Sequence, residues 1–211
     1  MDRAYGGEVR AGQEKIVTRT LVKPRLDVKY PQVEGIRDSL VQRMINSAIL
    51  DAQYDLIRQQ GYVGDPTKTV TGNYSVKLHK NGLLSLLYEN FGYAQGAAHG
   101  ITYQSSQTFN LKDGTEYKLA DLFKPGSDYI RRLSEIIKRE FQASDIPMLT
   151  EFHAIPPDQP FYLRDRAIVI YFQLYEYTPY AYGFPTFEIP FAEVQDIIDP
   201  AGPIGKIQAS R

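Results

Sequence analysis

A chain of 211 residues, 43% of them hydrophobic, is long enough for one generous domain or two small interlocked ones, with enough apolar sequence to bury a core. Its 24 basic and 25 acidic side chains are scattered rather than gathered into a stripe, so the electrostatic footprint of a nucleic-acid binder is missing. The absence of cysteine excludes disulfides, thiolate metal sites and a cysteine nucleophile, but leaves the compartment open, since an exported protein with a large core can do without disulfides.

The opening residues, MDRAYGGEVRAGQEK, are polar and glycine-rich and lack the apolar centre of a signal peptide, and residues 1–14 are expected to form a flexible segment. Either the protein is cytoplasmic or Met1 stands after a removed leader or anchor. No apolar run approaches the roughly 20 residues needed to span a bilayer. KIVTRTLVKPRLDVKYPQV then alternates apolar and polar positions like a long half-buried strand, with Pro24 and Pro31 indicating an edge or a bulge. From Ile36 the period changes. Ile36, Leu40, Met44, Ala48, Ala52 and Leu56 fall every fourth residue with Val41, Ile45 and Ile49 alongside, which predicts an amphipathic helix ending near Gly61.

VTGNYSVKLH and LLSLLYENFGYAQG read as two strands joined by an Asn81-Gly82 hairpin turn, and Asp113-Gly114 marks a second hairpin. A second helix is predicted after LADLFKPGS, with Ser127 as its N-cap and Ile130, Leu133, Ile137 and Phe141 facing inward. RAIVIYFQLYE is the best buried strand in the chain, with Ile168, Ile170, Phe172 and Leu174 on one face. PFAEVQDII closes the fold with a short helix, and residues 200–211 are expected to be a flexible tail. The expected fold class is α+β: an antiparallel sheet built from hairpins, two main helices packed on it, and two interlocked sub-regions covering residues 15–95 and 96–199.

GYAQGAAHG, FNLKDGTEYKLADLF and FYLRDRAIVIYFQLYEYTPYAYGFPTFEIPF follow in that order, with KYPQV and a helix upstream. Together these blocks resemble the extracytoplasmic domain shared by anti-sigma factors of the RsiV type and by the N-terminal region of PdaC-type peptidoglycan deacetylases, from about Lys15 to Asp199. The resemblance implies a non-enzymatic recognition or sensor module outside the membrane, which in the anti-sigma factors binds lysozyme. It implies an extracytoplasmic location, with an upstream membrane anchor or a leader. A cytoplasmic sigma-binding segment and a deacetylase domain are absent from these residues. The partner implied is lysozyme or another muralytic protein. The alternatives are a peptidoglycan-binding accessory domain and, third, a cell-wall hydrolase.

His99 sits among Ala97, Ala98 and Gly100, small residues that allow close approach. An imidazole can act as acid, base or ligand near neutral pH, yet no nucleophile stands at a recognisable spacing, so a loop-ordering role is the simpler reading. Pairing with Glu176 or Glu89 is the hydrolase alternative. His79, His99 and His153 show no short ligand spacing, so neither a metal nor any other cofactor is expected. In YEYTPYAYGFPTFEIPF, Tyr175, Tyr177, Tyr180 and Tyr182 offer stiff, amphipathic rings for a protein or a sugar, while Glu176 and Glu188 offer carboxylates to a basic partner. The same tyrosines could instead cap the sheet. The aromatic turn is expected to lie beside the GAAHG loop, since both leave strands.

Overall fold

The computed structural model describes residues 14–209, so the expected flexible segment lies, apart from Glu14, outside the described residues. The expected long first strand is in fact two. Pro24 presets the first turn angle and Arg25 takes a positive φ of 59°, folding the chain into β1 (Lys15–Lys23) and β2 (Leu26–Glu34), which pair antiparallel. Pro31 is tolerated because β2 meets its other neighbour only over Leu26–Val28, leaving no ladder bond there for a missing N–H to break.

Helix α1 spans Ser39–Gln59 and is capped by the Asp38 carboxylate, which accepts from the Leu40 N–H at 2.8 Å. Its buried stripe is Val41, Ile45, Ile49, Gln53, Leu56 and Ile57, whereas Leu40 and Met44 of the expected every-fourth ladder are exposed. At 3.6 residues per turn, a ladder of fours drifts by about 40° per step and must leave any one face within a few turns.

Strand β3 (Lys68–Lys80) turns through Asn81 and Gly82, both at positive φ as a two-residue type I′ hairpin requires, into β4 (Leu83–Ala94). With β5 (Ile101–Asn110) these strands form a sheet in the order β1-β2-β3-β4-β5. The sheet is mixed. β2 and β3 run parallel, because α1 lies between them and supplies the long crossover a parallel pair needs. A bulge between Val76 and Leu78 reverses which face the strand buries, leaving Val76 exposed while Leu78 enters the core.

A three-stranded antiparallel sheet follows: β6 (Phe161–Leu163), β7 (Ala167–Tyr171) and β8 (Thr186–Pro190). The layers are set by alternation along β4. Leu84, Leu86 and Tyr88 pack under α1 with Val41, Ile45 and Ile49, while Leu87 faces the other way onto Tyr162, Val169 and Tyr171. Ile168 and Ile170 then point to the outer side of the small sheet, where Leu133, Ile137 and Phe141 of α2 (Tyr129–Ala143) cover them. The order is therefore α1, large sheet, small sheet, α2. Asp128 rather than Ser127 occupies the N-cap position of α2, and its carboxylate pairs with Arg131 instead of capping the helix. The expected division after residue 95 falls in the loop between β4 and β5.

The segment after residue 200 is not loose where it is described. Pro203–Gln208 forms α3, with Pro203 in the first helical turn and Ile204 and Ile207 buried in the core around α2. Lys206 donates to the Tyr117 hydroxyl at 2.8 Å. The short Pro/Gly-rich composition masked the i, i+3 isoleucine pair that docks it. Ile204→Ala is expected to cost about 2 to 5 kcal/mol in chemical unfolding, as a core truncation does; an unchanged midpoint would place the segment outside the core.

Burial also sets an alkaline limit. Desolvation pushes the phenols of Tyr88 and Tyr171 above the ordinary tyrosine value of 10.0. The folded state holds these protons longer than the unfolded state, so their stabilisation is complete below about pH 10 and is lost as pH rises from there through the folded values. Denaturant midpoints are expected to fall from about pH 10 upward, and less steeply in Tyr88→Phe.

Candidate functional site

Beyond β7 the chain makes a long turn before returning as β8, closed at its base by the Phe172 N–H donating to the Pro185 carbonyl at 3.0 Å. Gln173 anchors it to the large sheet. Its side-chain amide donates to the Gln104 carbonyl and accepts from the Gln104 N–H, each at 3.0 Å. β5 is an edge strand whose Gln104 backbone faces outward, and this one side chain substitutes for a neighbouring strand there.

On its inner side the turn is held by Tyr177, whose ring packs edge-on against Phe152 and Phe172 at 5.4 and 4.9 Å and beside Phe141 at 5.9 Å. Burial, and after it the Glu176 carboxylate, pushes the Tyr177 phenol up. On the outer side Tyr175 adopts φ 66°, a left-handed conformation unusual for a bulky residue. That backbone setting brings its ring to His99. The Tyr175 hydroxyl lies 3.3 Å from His99 Nε2, and the Tyr180 ring lies 4.7 Å from the imidazole and 5.6 Å from Tyr175, centroid to centroid.

His99 arrives from the loop between β4 and β5. Its Nδ1 lies 2.8 Å from the Gly100 carbonyl, which can only accept, so Nδ1 carries the proton and Nε2 accepts from Tyr175. Gly100 is required by a close approach: a Cβ there would stand 2.3 Å from Phe91 Cζ and 2.6 Å from the Gly92 carbonyl oxygen.

The structure thus brings His99, Tyr175 and Tyr180 together and leaves three other candidates apart from the stack. Tyr182 ends the short 3-10 turn 47% exposed, outside the stacking contacts. Glu176 folds back to accept from the Gln173 N–H at 2.7 Å, and Glu188, on β8, pairs with Arg164. The acid–base pairing of His99 with Glu176 or Glu89 is not formed, since Glu89 accepts from Gln104 Nε2 at 2.9 Å and the partner of His99 Nε2 is the Tyr175 phenol. Among the described residues, no three His, Asp or Glu side chains converge as metal ligands.

Two aromatic residues escaped the sequence reading. Phe91 and Tyr93 are 39% and 37% exposed on the face of β4 away from α1, and the Phe91 ring touches the His99 loop. Their signal was present: Glu89, Phe91 and Tyr93 share the solvent side of one strand, where aromatic residues have no packing purpose.

Residues 120–192 match the family described as "Protein of unknown function (DUF3298)". The chain is 26% identical over 191 residues to anti-sigma-V factor RsiV of Bacillus subtilis (strain 168), an alignment covering 82% of this chain and 65% of that protein. The resemblance to RsiV read from the sequence is thereby shown, and the chain spans less than two thirds of that relative. In fold it is similar to the crystal structure of a DUF3298 family member from Bacteroides fragilis NCTC 9343, with a TM-score of 0.67 and 19% identity over 93% of this chain and 96% of that one. A DUF3298 family protein from Pseudomonas aeruginosa PAO1 matches with a TM-score of 0.64 and 14% identity over 89% and 94% of the two chains. The α+β architecture is shared with both.

The Gln173 anchor can be tested directly. Gln173→Ala is expected to lower stability by about 1 to 3 kcal/mol, the worth of two hydrogen bonds whose partners are left in place. Hydrogen exchange at the Gln104 amide should accelerate while the Tyr103 and Ser105 amides, on the β4 side of the strand, stay protected. Unchanged exchange at Gln104 would show that the side chain does not close the edge.

Proposed function

We propose that the protein is a non-enzymatic recognition module that acts outside the cytoplasmic membrane and senses a basic muralytic protein such as lysozyme through its aromatic turn. The observation that carries this reading is the stack of exposed His99 and Tyr175 with half-buried Tyr180, fixed from behind by Gln173 and Tyr177. Rings already held in place lose little freedom on binding, so their contact area converts efficiently into affinity. Similarity to an anti-sigma factor supports a sensory or regulatory role, in which binding is the signal. No helix among the described residues is long and apolar enough to cross a membrane; the proposed location outside the membrane rests on the similarity to an anti-sigma factor.

The chemistry of the stack supports binding over catalysis. His99 is engaged at both nitrogens by groups that order it, a carbonyl and a phenol, and neither Glu89 nor Glu176 joins it to complete an acid–base pair. Glu176 borders the turn and gives a basic partner a carboxylate, whereas Glu188 has Arg164 as its counter-ion.

Calorimetric titration with hen egg-white lysozyme and with soluble peptidoglycan fragments tests the reading. Lysozyme is expected to bind without being altered. Tyr180→Ala or Tyr182→Ala should weaken binding by at least about 1 to 2 kcal/mol while the melting temperature stays nearly constant. Binding of glycan alone would make the domain a wall-attachment module. Binding of neither, or unchanged affinity in both variants, would leave the aromatic turn a purely structural feature.

A further inference from the structure

The face of the large sheet away from α1 is covered only in part. Towards the β3–β4 turn it is dry: Leu87 packs against Tyr162 and Tyr171, and Ser85 accepts from the Leu163 N–H at 2.9 Å. Towards the His99 loop it lies open, and there the strands floor a shallow groove of about 460 Å³ lined by Asp27, Lys29, Asn73, Glu89, Phe91 and Thr102. The ladder aligns these side chains in rungs. Asp27 lies opposite Thr71, Thr71 opposite Phe91, and Phe91 opposite Thr102, so one rung crosses four strands. In the next rung Asn73 lies opposite Glu89 and Glu89 opposite Gln104.

A solvated sheet face is ordinarily just polar. This one differs in two ways. Phe91 keeps an exposed ring in the rung, with Asp27 two strands away in the same rung and Glu89 two residues along its own strand. Among the described residues, Asp27 and Lys29 also take part in no side-chain hydrogen bond or ion pair, so their polar capacity is unspent. An apolar ring face beside free acceptors and donors matches a pyranose, whose C–H face stacks on an aromatic ring while its hydroxyls bond at the rim.

A polypeptide fits less well. Strand addition needs a free edge, and at the β5 edge that borders the groove the outward backbone groups of Gln104, Thr108 and Asn110 are taken by Gln173, Tyr117 and Thr115. Lys29, lining the groove with Asp27 and Glu89, also gives it mixed signs, which suit an uncharged ligand better than a strongly basic one.

We infer that this groove is a carbohydrate site, taking an uncharged oligosaccharide laid across β2 to β5 with one sugar ring on Phe91 and its hydroxyls on Asp27 and Glu89. The site adjoins the His99 loop at Phe91 but uses side chains distinct from those of the aromatic turn, and it does not rest on the partner proposed for that turn. Chitotriose and cellotriose, titrated separately into the labelled protein and followed by amide NMR shifts, are the probes. Saturable shifts are expected at Asp27, Asn73, Glu89, Phe91 and Thr102 with at least one of them. Phe91→Ala, Asp27→Asn and Glu89→Gln should each weaken that binding about tenfold, or about 1.4 kcal/mol, the last two being near-isosteric changes, at exposed Asp27 and half-buried Glu89, that keep the fold. Tyr180→Ala should leave it unchanged, while Glu89→Gln should leave lysozyme binding unchanged, so either reading can fail alone. No saturable shift with either sugar, shifts confined to Tyr175 and Tyr180, or undiminished binding in Asp27→Asn and Glu89→Gln would overturn the assignment.

Discussion

Burial of β7 on both faces is the constraint from which the rest of the architecture follows. A sheet whose strands span only Phe161–Leu163, Ala167–Tyr171 and Thr186–Pro190 is too small to be stable alone and must be covered on each side. Val169 and Tyr171 require the large sheet beneath them; Ile168 and Ile170 require α2 above. Once that sandwich forms, the chain leaving Tyr171 has one way out, along the β5 edge. The Tyr171 hydroxyl donates to Ser106 at 3.0 Å and Gln173 meets Gln104 two residues along, so the exit is fixed before the turn begins.

The presented surface is supported at some cost to stability. Tyr175 keeps a left-handed backbone, of order 1 to 3 kcal/mol, while its 46% exposed ring packs against the His99 and Tyr180 rings of the presented surface. Beneath the His99 loop, the Gln60 side chain donates to the carbonyls of both Asn90 and Ile101, joining the end of α1 to the two stems of the hairpin that carries His99. Asn90 itself is fully buried with both side-chain atoms unpartnered among the described residues. Polar groups buried at such a junction are costly, and they are found here under the loop that carries the imidazole.

What could be read in advance was what depends on local pattern. The Asn81-Gly82 hairpin, the inner face of α2 and the buried run at Ile168 and Ile170 each follow from turn chemistry or a short period. The parallel pairing of β2 with β3 was hidden because alternation is blind to the direction of a neighbour. The Pro24-Arg25 turn was hidden because a non-glycine residue supplies its positive φ. At the site, the meeting of His99 with Tyr175 and Tyr180 could be anticipated from two turn-rich segments leaving strands. Gln173 could not, because a glutamine that completes a sheet edge looks like any other polar residue until its partner strand is known. Phe91 lay in view, on the wrong face of an alternating strand.

The two ends of the large sheet handle their exposed groups in opposite ways. At β1 the backbone edge is open, and Lys15, Arg19 and Lys23 line it, the first and second paired to Glu34, so a foreign strand meets charge and long side chains. At β5 the backbone is closed by Gln173 and by the return of the chain through Thr115 and Tyr117, and there, rather than at β1, where Val22 is the exposed apolar side chain, the molecule gathers the exposed rings of Phe91, Tyr93, Tyr175 and Tyr182. An apolar surface beside an open edge would invite indiscriminate strand pairing. Separating the two leaves recognition at this end to ring faces, hydroxyls and carboxylates, whose geometry can discriminate between partners in a way that backbone hydrogen bonding cannot.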